Sequence, residues 1–123
     1  MLARAAVTLV TGMSPAAREQ AIVAQLAANP AHDGATAVIL EGLANASSPL
    51  APDANLSVSR IAGGCLCCAG NLVLRVTLNR LLRHHPERVY IGMSDSSHLD
   101  QLRSWLASPP YDQLLELAPD VHA

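Results

Sequence analysis

Three short runs of apolar and β-branched residues punctuate the chain, and between them the apolar positions recur at a spacing of three and four. Val7-Thr8-Leu9-Val10 is the first run; its composition suits a buried strand. It ends at Thr11-Gly12-Met13-Ser14-Pro15, where Ser14 is placed to cap a helix and Pro15 to occupy its first position. The spacing predicts a helix over 16–28 with Ile22 and Leu26 on one face, stopped by Asn29-Pro30. Thr36-Ala37-Val38-Ile39-Leu40 is the second run, unbroken by polar residues, as in a parallel sheet covered on both faces.

Residues 41–53, with Pro49 and Pro52, read as a loop before a short strand from Leu56 to Ile61. A helix is predicted over 69–85, with Leu74, Leu78, Leu81 and His85 on one side and Arg75, Asn79, Arg80 and Arg83 on a solvated face. Pro86 closes it. Arg88-Val89-Tyr90-Ile91 is the third run, and Ser97-His98-Leu99-Asp100 has the form of a capping box opening a helix through Trp105. Pro109-Pro110 breaks the chain, and the weak pattern of 111–123 allows either a turn of helix or an edge strand. Strands alternating with helices predict one α/β domain over 1–123 with a mainly parallel sheet.

Composition narrows the partners. Half of the 123 residues are apolar and only 2% aromatic, so the core is built from Ala, Val, Leu and Ile. A formal net charge of -2 provides no cationic surface for nucleic acid. The apolar run after Arg4 is too short for a membrane span or a signal peptide, and no other stretch approaches spanning length. Three clustered cysteines are a poor disulfide framework, and a reducing cytoplasm is the expected compartment.

Those cysteines carry the chemistry. Gly63-Gly64-Cys65-Leu66-Cys67-Cys68 places all three thiols within four positions, after a predicted strand and before a predicted helix. Soft sulfur ligands so close together point to a thiophilic metal, zinc or another divalent ion. Gly63, Gly64 and Gly70 give the turn the backbone freedom that adjacent ligands require. A fourth ligand is still wanted. Glu41, ending a neighbouring strand, is the first candidate and His98 the second, since the carboxyl ends of parallel strands share one edge. An open fourth position suits transfer better than storage. Ser94-Asp95-Ser96-Ser97-His98 has the residue types of a hydrolytic triad, but contiguous residues do not adopt the relay geometry, and capping explains them. His84 and His85 end a helix, where its dipole favours them.

Gly64-Cys65-Leu66-Cys67-Cys68, in this setting, resembles the Cys-x-Cys-Cys motif of the CobW-like family of P-loop GTPases and metal chaperones. Val7 to Gly12 is similar to the strand entering that family's phosphate loop. Val38-Ile39-Leu40-Glu41-Gly42 is similar to its apolar strand ending in an acid, and Ile91-Gly92-Met93-Ser94 stands where the family reads Ile-Glu-Thr-Ser-Gly. The resemblance covers roughly 5–105 and implies a truncated three-layer P-loop-NTPase-like domain. Departures concern the nucleotide. The family's Gly-x-x-Gly-x-Gly-Lys-Thr-Thr is here Gly12-Met13-Ser14-Pro15-Ala16, and the chain contains no lysine to meet phosphate. The guanine-reading Asn-Lys-x-Asp goes with it, and Gly92 replaces an acid.

The expectation is therefore a catalytically degenerate domain that binds metal through Cys65, Cys67 and Cys68 for metal handling or regulation, without GTP hydrolysis. A non-catalytic remnant that completes its sheet through a homodimer or a client protein is one alternative. A weak GTP-binding protein, using the residual loop Gly12, Met13 and Ser14, is another, and a redox role for Cys67 and Cys68 is a fourth reading.

Overall fold

In the computed structural model, residues 4–12, 14–28, 34–41, 50, 52–61, 72–93 and 99–123 are described. Four strands form its frame: β1 Ala5–Thr11, β2 Thr36–Glu41, β3 Leu56–Ile61 and β4 Arg88–Met93. Helix α1 spans Pro15–Ala28, α2 Leu72–Leu82, α3 Leu99–Leu106 and α4 Tyr111–Leu114. Short strands β5 Leu115–Leu117 and β6 Val121–His122 end the chain. The sheet order is β3-β2-β4-β1-β5, with β6 also pairing β1, and every named pairing is parallel. The α/β class and mainly parallel sheet predicted from the alternating pattern are thus observed.

Both faces of the sheet are covered, which is why β1, β2 and β4 are nearly continuous runs of buried residues. On one face Leu9, Ile39, Val89 and Ile91 meet Leu74, Leu78, Leu102 and Leu106 of α2 and α3. On the other Val10, Val38, Leu40 and Tyr90 pack against Ile22 of α1. Ser14 caps α1 as its sequence predicts, its Oγ accepting from the Ala17 N–H at 3.0 Å, with Pro15 as the first helical residue.

The few large rings act as a clasp. Tyr111 of α4 donates its hydroxyl to Asn79 Oδ1 of α2 at 2.8 Å and lies 4.8 Å, centroid to centroid, from Trp105 of α3. Arg75 of α2 sits over the Trp105 ring at 5.4 Å. Arg75 and Asn79 therefore join three helices across a surface where the sequence predicts only solvation.

The end of α2 also departs from its pattern. The apolar spacing runs through Leu81 to His85, but the helix stops at Leu82, and His85 is exposed with φ of 51°. Its N–H bonds the Leu82 carbonyl at 3.1 Å, closing the turn in a left-handed conformation usually left to glycine. The rest of the chain resolves what 111–123 leave open: one turn of helix and then two strand fragments, both bonded to β1. The outer edge of β1 is covered by this chain itself. His85→Gly should raise unfolding stability by about 0.5–1 kcal/mol, visible as a higher urea midpoint with unchanged slope.

Candidate functional site at the carboxyl edge of the sheet

Parallel pairing brings the carboxyl ends of β1, β2, β3 and β4 to one edge. Thr11 lies opposite Met93, Leu40 opposite Gly92, and Glu41 opposite Ile61. The last pairing matters most for the predicted metal site. Glu41 is half-buried at the end of β2, in register with the last residue of the strand from which the chain proceeds to Cys65. Cys65, Cys67, Cys68, His98 and Met13 lie outside the described residues, as do the predicted capping box at Ser97 and the Ser94-to-His98 segment. Among the described residues no group of three or more His, Cys, Asp or Glu side chains is placed to hold a metal.

The turn after β1 is held by its own helix. Arg18 is buried, and its Nη1 donates to the Gly12 carbonyl at 2.6 Å. The apolar pattern of the sequence does not single out Arg18. Counting would have found it: the lysine of the phosphate-loop motif is the sixth residue after its first glycine, and the sixth after Gly12 is Arg18. The cation at this position thus satisfies a backbone carbonyl of the turn instead of facing outward. Gly12 is also approached from the side, since a Cβ there would come within 2.9 Å of Ala123 Cβ and 3.1 Å of Arg18 Cγ. Beside it the Ala123 N–H donates to the Thr11 carbonyl at 2.6 Å, and Thr11 Oγ1 is 2.7 Å from His122 Nδ1.

Glu19, the next residue of α1, is 3% exposed and pairs with Arg60 of β3 at 3.1 Å. This pair fixes the start of α1 to the strand that leads to the cysteines. At β4, Gly92 faces α1: a Cβ there would stand 2.9 Å from Leu40 Cδ2 and 3.7 Å from Ile22 Cδ1. An acidic side chain at 92 would enter that apolar packing. Removing Arg60 takes the ion-pair partner from a buried carboxylate, so Arg60→Met should cost about 3 kcal/mol of unfolding stability, and Glu19→Gln combined with it should recover part of the loss in a double-mutant cycle followed by urea denaturation.

No family model matches the chain, and no solved structure matches it. Among curated proteins it is similar to the Zinc chaperone YeiR of Escherichia coli, 29% identical over 111 residues, which are 89% of this chain and 34% of that protein. The chain spans about a third of the length of this relative. Together with the parallel sheet and the strand ends described above, the similarity supports a CobW-like relationship.

Proposed function

We propose that this chain handles zinc, or another thiophilic divalent metal, through Cys65, Cys67 and Cys68, and does so without hydrolysing GTP. The register that sets Glu41 opposite Ile61 carries the reading. It puts the carboxylate-bearing end of β2 beside the end of the strand that precedes the cysteines in the sequence, which supports Glu41 as the oxygen donor of the set. Similarity to a zinc chaperone supports zinc as the cargo. Three thiolates with Glu41 make a four-ligand set suited to zinc, and His98, five residues beyond Met93, is the reserve nitrogen ligand. Exchange of the carboxylate for a ligand from a client protein or a second copy would open the route for transfer.

The nucleotide part of the reading rests on composition and on Arg18. No lysine is present anywhere in the chain, and the arginine counted to the lysine position bonds Gly12. Phosphate-loop catalysis depends on a cation that reaches the transferred phosphoryl group. Here that cation is already engaged.

Competition between the reduced protein and a chromogenic zinc chelator tests the metal assignment. One zinc per chain is expected, with at least tenfold weaker binding in each of Cys65→Ser, Cys67→Ser and Cys68→Ser and a smaller loss in Glu41→Gln. Failure to take up zinc, or cysteine variants that bind as well as the native chain, sinks the proposal. Calorimetric titration with GTP and magnesium should give no saturable heat; binding followed by phosphate release would overturn the non-hydrolytic part.

A further inference from the structure

The outward side of α2 carries more than the solvated charges its sequence predicts. Among the described residues four large apolar side chains are exposed, and three of them stand on the first turns of this helix: Leu72 at 64%, Val73 at 55% and Val76 at 57%. An isolated exposed leucine is ordinary, but three apolar side chains within five positions of one helix make a contiguous patch of the kind that marks an interaction surface. The helix does not need them to fold. Its core side is supplied by Leu74, Leu78 and Leu81, all buried against the sheet.

Leu72 and Val76 are one turn apart, and the same ridge runs on to Arg80, with Arg83 just beyond the end of α2. Arg75 is taken up by the Trp105 ring, whereas the guanidinium groups of Arg80 and Arg83 have no partner among the described residues. No acid occurs between Leu72 and Pro86 to neutralise them. The face is therefore apolar at one end and cationic about 10 Å further along the axis. Its place in the chain gives it a context: Leu72 follows Cys68 by four residues, a length of chain of at most about 14 Å.

Two observations select the occupant. The patch offers roughly a few hundred Å² of apolar surface, short of the about 800 Å² per partner of a standard interface, so a stable dimer of this chain is not what it serves. A second copy would also bring no acid on this face to meet the arginines. We propose that α2 is the docking face for a client protein that receives the metal, and that it holds an amphipathic helix of that client, apolar side chains on Leu72, Val73 and Val76 and acidic ones on Arg80 and Arg83. The inference rests on the metal-handling reading of the cysteines. A small contact of this kind binds weakly and releases quickly, as a transfer step requires.

The probe is an alanine-based helical peptide of about 20 residues, with leucines one turn apart and a pair of glutamates two turns further on. Titrated into the full reduced chain and followed by fluorescence anisotropy and amide chemical shifts, it should bind one-to-one in the high-micromolar range. Binding should weaken at least tenfold in Val76→Ser and in the double variant Arg80→Glu with Arg83→Glu. A second peptide with lysines in place of the glutamates should bind the native chain at least tenfold less well and regain affinity on the double variant. Equal affinity of the native chain and Val76→Ser, or no recovery in the charge swap, overturns the docking face. Sedimentation should show a monomer; a dimer abolished by Val76→Ser would make a second copy the occupant and reject the client. Zinc competition separates this proposal from the reading beneath it, since both surface variants should take up zinc as the native chain does. Zinc uptake without peptide binding rejects the docking face alone, and peptide binding without zinc uptake rejects its role in metal transfer.

Discussion

The parallel pairing of β1 with β4, and of β4 with β2, is the constraint from which the rest of the molecule takes its layout. A central strand hydrogen-bonded on both sides and covered on both faces has no surface for polar side chains, so β2 and β4 are apolar almost throughout. Each parallel pairing also requires a crossover that returns the chain to the opposite end of the sheet, and the described helices α1 and α2 lie on two such returns. Polar chemistry is consequently pushed to the strand ends. Glu41, Thr11, Arg60 and Gly12 gather at the carboxyl edge and Arg88 at the amino edge because the register leaves them nowhere else to be.

The described side chains at the carboxyl edge are engaged with one another. A loop that binds phosphate must leave its backbone N–H groups and its cation uncommitted until the ligand arrives. Here Arg18 bonds Gly12, Glu19 bonds Arg60, and Thr11 bonds His122. These contacts are local and mutually consistent: α1 is drawn onto both β1 and β3 by adjacent residues of its first turns. The edge is thereby stiffened. The metal site proposed for Cys65, Cys67 and Cys68 would gain from such a base, because ligands need fixed support if they are to converge.

The strands and the first helix were legible in the sequence for a simple physical reason. Burial on two faces writes an uninterrupted apolar run, as in Thr36 to Leu40, and the Ser14-Pro15 pair marks a helix start through the chemistry of its own unsatisfied N–H groups. Other features were not legible, because they depend on what packs beside them. His85 continues a helical spacing, yet the backbone turns left-handed at this residue, and periodicity contains no information about that turn. Elements as short as β5 and β6 carry no period of their own and exist through hydrogen bonds to β1. Arg18 and Arg75 look like solvated charges until a carbonyl and an indole ring are brought to them. Of the candidate metal ligands, the register supplies a position for Glu41, while the cysteines and His98 rest on spacing and chemistry alone.

Among the described residues, four arginines tie parts of the fold together. Arg60 and Arg103 face carboxylates, Arg18 faces a carbonyl, and Arg75 faces a ring. In each case the guanidinium joins two elements, and loss of the contact would loosen a junction of helix and strand or of helix and helix.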